Sequence, residues 1–205
     1  MTAFAAEPGA KLFNNEDVNV IRALERVHVK GKFHEHKPNR VMVYFGAGQQ
    51  RFEYQDARKP EVFNWKPGQV VWSPADGMHA PEVLSDEPFN IVEVELLKPG
   101  AAVSAGDKDA LKLDKKHYKV ELDNDQVRVL RLKLAPKEST PMIERTRKSV
   151  AIAMNESEGK MTDAAGNSQP MKNKAGDSVW LVPGASKLEN TGTQPLEMVL
   201  VELKY

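Results

Sequence analysis

Asn15-Glu16-Asp17-Val18-Asn19-Val20-Ile21-Arg22 is echoed by Asn124-Asp125-Gln126-Val127-Arg128-Val129-Leu130-Arg131, 109 positions later. Gly68-Gln69-Val70-Val71-Trp72 returns as Gly176-Asp177-Ser178-Val179-Trp180 after 108 positions, and Val94-Glu95-Leu96 as Val201-Glu202-Leu203 after 107. A near-constant offset sustained from residue 15 to residue 96 reads as two copies of one fold unit. The copies part at one place. The first carries His34-Glu35-His36 and His79, where the offset sets Ile143-Glu144-Arg145 and Lys187 in the second. Chemistry that needs imidazoles therefore belongs to the first copy.

Two units of about 90 to 100 residues each are large enough for separate cores. Residues 1–105 hold 12 Lys/Arg and 14 Asp/Glu, which leaves 17 and 15 of the 29 and 29 for the remainder. Neither half concentrates positive charge, which argues against a nucleic-acid partner. No apolar run approaches the ~18 residues of a membrane span. Cysteine is absent, so disulfides and Cys-ligated zinc are excluded. Ala3-Phe4-Ala5 before Ala6-Glu7-Pro8 resembles the small-residue end of a cleaved signal peptide, but no basic start or apolar segment precedes it. The compartment stays open between exported (periplasmic) and cytoplasmic.

Short β-branched or aromatic runs separated by Gly, Pro, Asn and Asp predict strands throughout. In the first copy these are 18–24, 41–45, 52–55, 61–65, 69–72 and 89–97; in the second, 118–122, 127–134, 150–154, 159–162, 169–172, 178–182 and 197–203. The alternation Ile91-Val92-Glu93-Val94-Glu95-Leu96 predicts a strand buried on one face. The expected class is all-β, a sandwich or barrel in each copy. Residues 1–11 are expected to be a flexible lead-in, 12–99 the first barrel, 100–110 a linker and 111–205 the second barrel. Only 108–116 has helical character, with Leu111 and Leu113 as its apolar anchors.

Side chains two apart on a strand share a face, so His34 and His36 project together. His79, 43 residues on, can meet them across a barrel. Three neutral imidazoles with open coordination positions suit a single divalent Zn, Fe, Mn, Ni or Cu, and donor identity alone does not choose among them. Strand parity from His36 turns Arg40 inward if no turn intervenes at Pro38; there its guanidinium would either repel a metal or clamp an anionic ligand such as a carboxylate. Glu35 should face the other way, while Glu82 can stand near the site. His28 and His117 read as surface or hydrogen-bonded residues. Trp65, Trp72 and Trp180, with Met42, Met142 and Met154, read as barrel filling.

His34-x-His36 followed by Gly68-x5-Pro74-x4-His79 resembles the two sequence motifs of the cupin superfamily. The chain departs from that pattern in three places. Asp76 stands where the family has Gly, with Gly77 one place late; Val83 replaces an Asn; and the first motif's Glu ligand falls on Asn39 or Arg40. The resemblance implies a bicupin: two tandem double-stranded β-helix (jelly-roll) barrels. The first would hold a divalent metal on His34, His36 and His79, and the second would be degenerate. It also implies a small oxygenated ligand, a carboxylate or sugar-like molecule, with Arg40 as a candidate ligand-binding residue. Chemistry of a metal-dependent dioxygenase or an isomerase or lyase would fit, with no catalytic residue singled out. A metal-free binding or structural module is the alternative. Cupins commonly associate through sheet edges and exchanged N-terminal strands, so a homodimer using residues 12–24 is a further expectation.

Overall fold

Residues 10–102 and 106–205 are described by a computed structural model of the chain. Contacts divide the protein into two units, Met1–Lys98 and Pro99–Tyr205. The first holds β1 (Ala10–Asn14), β2 (Val18–Glu25), β3 (His34–His36), β4 (Arg40–Tyr44), β5 (Gly48–Tyr54), β6 (Glu61–Trp65), β7 (Val70–Ser73), β8 (Asp76–Val83) and β9 (Phe89–Leu96). The second opens with α1 (Ala110–Leu113). It continues through β10 (Tyr118–Asp123), β11 (Val127–Leu134), β12 (Ile143–Arg145), β13 (Ser149–Ala153), β14 (Ser157–Asp163), β15 (Ser168–Asn173), β16 (Ser178–Leu181), β17 (Gly184–Asn190) and β18 (Leu196–Leu203). Among the described residues the protein is all-β apart from one helical turn.

Each unit pairs a five-stranded with a four-stranded antiparallel sheet. The orders are β1-β2-β9-β4-β7 with β3-β8-β5-β6, and β10-β11-β18-β13-β16 with β12-β17-β14-β15. Adding nine to each label of the first unit gives the second. The echoed residues make the same local structures. Asn15 Oδ1 accepts from the backbone N–H groups of Asp17 and Val18 at 2.8 and 2.9 Å; Asn124 Oδ1 does so from Gln126 and Val127 at 2.9 and 3.0 Å. Such Asx turns reverse the chain between paired strands. The register then slips between Lys11 and Phe13 in one unit, and between Val120 and Leu122 in the other, a bulge at the same place. Gly68 and Gly176 lie at φ 77° and 86°, each at the third position of a turn closed by a 3.0 Å bond, Gln69 N–H to Lys66 O and Asp177 N–H to Lys174 O. A positive φ at that position is why both copies use glycine.

Several expectations need correction. Residues 1–9 of the proposed lead-in lie outside the described residues, while positions 10 and 11 belong to β1 and pair with Arg22 and Ile21. Residues 106–110 are part of the second unit, not a linker: Glu144 N–H donates to Lys108 O at 3.0 Å, and Asp109 caps α1 by accepting from Leu111 N–H at 3.0 Å. Residues 103–105 lie outside the described set. The buried residue of α1 is Ala110, with Leu111 partly buried beside it, and Leu113 is 46% exposed rather than an anchor. Strand β9 is buried on both faces, Val92 and Val94 on one and Glu93, 7% exposed, on the other. No helix among the described residues is long and apolar enough to cross a membrane.

The interiors differ in filling. In the second, Leu130, Leu132, Leu134, Leu196 and Leu200 form a continuous apolar cluster. In the first, the cluster of Met42, Tyr44, Val83, Phe89 and Ile91 leaves space. Ladder positions explain the contrast. Ala23 pairs with Ile91 as Leu132 pairs with Met198, and Ile21 with Glu93 as Leu130 with Leu200. Small and charged residues on one inner face thus stand where the other has leucine.

Candidate metal centre

Strands β3 and β8 are neighbours, and their register puts His34 directly opposite His79. His36, two residues along β3, shares their face. The three imidazoles each bring a nitrogen to within 4.8 Å of the others', with ring centroids 4.9, 4.8 and 5.6 Å apart. Each ring has its Nδ1 beside an acceptor. His34 Nδ1 lies 2.9 Å from Lys32 O and His79 Nδ1 3.0 Å from Gly77 O. His36 Nδ1 faces Glu95 Oε1 at 3.6 Å. An acceptor at Nδ1 favours the tautomer with a free Nε2 lone pair, the arrangement a ligating histidine needs. Burial holds the pKa of His79 below the ordinary imidazole value; the hydrogen bond to Gly77 opposes that shift and the neighbouring His34 and His36 reinforce it. A neutral imidazole is the form that binds a metal. The His36 ring in turn holds the Glu95 carboxyl below its usual range, with help from Asn19. This donor set fits one divalent transition ion.

The histidines border a cavity of about 370 Å³ shared with Glu25, Arg40, Met42, Phe52 and Glu93. Arg40 is 4% exposed. Its Nη1 donates to Glu93 Oε2 at 3.0 Å and its Nε to Ser73 Oγ at 3.2 Å, so a buried carboxylate balances the buried guanidinium. Beyond Arg40 and His79 lies a second space of about 210 Å³ lined by Tyr44, Phe63, Trp65 and Trp72. Trp65 stacks between Tyr44 and Phe63, with centroids at 4.5 and 5.3 Å. Trp72 is part of this wall rather than sealed core, and Trp180 is likewise only partly buried. Met42 fills the first interior as expected. In the second, the methionines lining the interior are Met161, Met171 and Met198, not Met142 or Met154.

Glu25, Glu93 and Glu95 carry no motif and were not singled out by sequence reasoning. Glu25 closes β2 and faces the cavity. Fully buried Gln50 accepts at Oε1 from Trp65 Nε1 at 2.7 Å and from the Tyr44 hydroxyl at 3.2 Å. Its amide N–H therefore points the other way and donates to Glu25. Burial, with the like charge of Glu93, raises the Glu25 pKa to about 7, against the pull of Gln50 and Arg40. The signal for Glu93 and Glu95 was their alternation with Val92 and Val94. It marks a face correctly, but does not say that both faces are covered. Glu82 is not at the site; it pairs with Arg51. Glu35 lies on the outward parity of β3, beside Lys37 at 3.6 Å. His28 is exposed near Asp86, and His117 donates or accepts at 2.8 Å with Asp114.

The second unit holds no such cluster among its described residues. By ladder position Ile143 stands opposite Ser186 as His34 stands opposite His79. The counterpart of His79 is thus Ser186, not Lys187 as a fixed offset suggests. Arg145 takes the place of His36 and donates from Nη1 to Ser186 Oγ at 2.6 Å.

No family model matches the sequence, and comparison with curated proteins gives no match. Solved structures do match. AerE from Microcystis aeruginosa superposes with a TM-score of 0.69 at 12% identity, covering 93% of this chain and 90% of that one. A cupin 2 conserved barrel domain protein from Leptotrichia buccalis gives 0.60 at 14%, covering 100% and 92%. Bacillus subtilis oxalate decarboxylase, whose Mn(II) centres have been studied by EPR, gives 0.58 at 10%, covering 92% and 69%. The fold is that of the cupins. At such identities the likeness is one of architecture alone, and the same architecture carries many activities.

Proposed function

We propose that this protein is a bicupin whose first barrel holds one divalent transition metal on His34, His36 and His79 and acts on a small oxygenated carboxylate bound beside it. The observation that carries the reading is the convergence of three imidazoles, each with its Nδ1 against an acceptor, on the wall of a cavity that Glu25, Arg40 and Glu93 also line. An ion bound there supplies Lewis-acid polarisation of a ligand oxygen. Arg40, with N–H donors beyond those given to Glu93 and Ser73, orients an anionic substrate. Glu25, held by Gln50 and titrating near neutral pH, takes or gives a proton. That pairing favours proton-transfer chemistry of the isomerase or lyase kind. The stacked wall of Tyr44, Phe63 and Trp65 accepts an apolar portion of the substrate.

The test is elemental analysis of protein purified without added metal, set against His79→Ala and His36→Ala. Close to one equivalent in the parent, and near-complete loss in both variants, is the expected result. Equal metal content in all three would leave a metal-free binding module as the better reading.

A further inference from the structure

The aromatic space beside the metal cavity of the first unit shares Arg40 and His79 with it. A molecule seated there has the guanidinium and one candidate metal ligand as neighbours. Six rings line the space: Tyr44, Phe52, Tyr54, Phe63, Trp65 and Trp72. Its volume of about 210 Å³ exceeds the ~150 Å³ that is enough for benzene in an apolar protein interior.

The fold does not require these rings. By ladder position, Phe52, Phe63 and Trp65 stand where the second unit has Met161, Met171 and Asn173. Tyr44 stands where it has Ala153, and Tyr54 where it has Asp163. Of the six, only Trp72 has an aromatic counterpart, Trp180. A barrel of the same topology thus packs without them.

The polar tips of this wall are already engaged. Trp65 Nε1 and the Tyr44 hydroxyl donate to Gln50 Oε1 at 2.7 and 3.2 Å, and the Tyr54 hydroxyl donates to Glu61 at 3.3 Å. What they offer a ligand is ring surface, which suits a flat ring in edge-to-face or offset contact. Charge fixes the other end of the ligand. Exposed Asp76, which also lines the space, is matched by Arg58, which donates to its two oxygens at 2.8 and 3.0 Å. Buried Arg40 gives Nη1 to Glu93 and Nε to Ser73, while its Nη2 bonds no group among the described residues. Three neutral imidazoles would also leave the charge of a divalent ion uncompensated. An anionic group therefore belongs beside Arg40 and His79.

We infer that the substrate of the first barrel is a single-ring aromatic carboxylic acid, with its carboxylate at Arg40 and the metal side and its ring among Tyr44, Phe63, Trp65 and Trp72. The placement of the carboxylate rests on the metal reading; the preference for a ring does not.

The test is calorimetric titration of the full chain with phenylacetate, cyclohexylacetate and acetate, once loaded with Zn²⁺ and once in chelator. Phenylacetate is expected to bind about tenfold or more tightly than acetate, and more tightly than cyclohexylacetate. Phe63→Leu, checked for its fold by circular dichroism and for its zinc content, should narrow the phenylacetate-to-acetate ratio about two- to tenfold. If that variant does not fold, Trp72→Leu removes a ring from the same space with the same expected result. Acetate or cyclohexylacetate binding as tightly as phenylacetate overturns the inference, as does a ratio unmoved by the loss of a ring. Equal metal content in His79→Ala and the parent overturns the metal reading alone, and the ratio measured in chelator then still decides the preference for a ring.

Discussion

Glu25 and Glu95 show how a carboxylate's role follows from what surrounds it. Glu25 is mostly enclosed and near Glu93, so its folded pKa of about 7 lies above the ordinary value of 4.5. The native state therefore binds this proton more tightly than the unfolded chain. The associated stability is fully present below about pH 4.5 and is lost as pH rises through about 7. Glu25→Gln keeps the shape without the charge. In metal-free protein it is expected to flatten that slope, gaining about 2 kcal/mol over the parent at pH 8. Urea unfolding at a series of pH values measures it; parallel profiles would contradict the assignment. Glu95 instead orients His36. Glu95→Ala should leave the three ligands in place yet weaken metal affinity about 10- to 100-fold. Competition with a chromophoric chelator reads this directly, and unchanged affinity would remove Glu95 from the design.

At the scale of elements, the strands that place the site are those least visible in the residues. The β-branched strands β2, β4, β9, β11, β13 and β18 announce themselves by composition. Strand β8 reads Asp-Gly-Met-His-Ala-Pro-Glu-Val, with Pro81 in its interior and no alternation. It is tolerated because β3 is only three residues long. Beyond it, Gly31 N–H donates to Pro81 O at 2.7 Å, a contact that asks no N–H of proline. Strand β17, Gly-Ala-Ser-Lys-Leu-Glu-Asn, is equally cryptic. The turn that carries the chain from β4 in one sheet to β5 in the other depends on Gly48, at φ 152°, where an added Cβ would lie 2.0 Å from Ser85 Oγ and 3.1 Å from Phe89. Gly48→Ala is expected to destabilise the protein by about 1–3 kcal/mol. Denaturant titration tests it, and a loss below about 0.5 kcal/mol would show that the turn relaxes freely.

For the molecule as a whole, one architecture carries two differently furnished interiors. Leucine at 132, 134 and 200 closes the second where Ala23, Glu25 and Glu93 open and polarise the first. Addition of Mn²⁺ or Zn²⁺ to metal-free protein should therefore slow amide exchange in β3 and β8 and leave β12 and β17 unchanged, because binding protects the native form of what it contacts. Exchange measured by mass spectrometry on peptides from each unit distinguishes them. Equal protection in both units would place the ion elsewhere.

Local chemistry written into the chain was enough to show an all-β protein, the repeat of the stretch at Asn15 in the stretch at Asn124, and the candidate status of His34, His36 and His79. Those features rest on side-chain period, turn stereochemistry and residue identity, which are properties of neighbours in sequence. Register across strands was needed for the rest. It set His79 opposite His34, matched Ser186 and not Lys187 to His79, and enclosed Glu25 and Glu93. Each of these depends on which distant strand lies alongside and how much water it displaces, and burial of a charge becomes visible only when the neighbouring strands are in place.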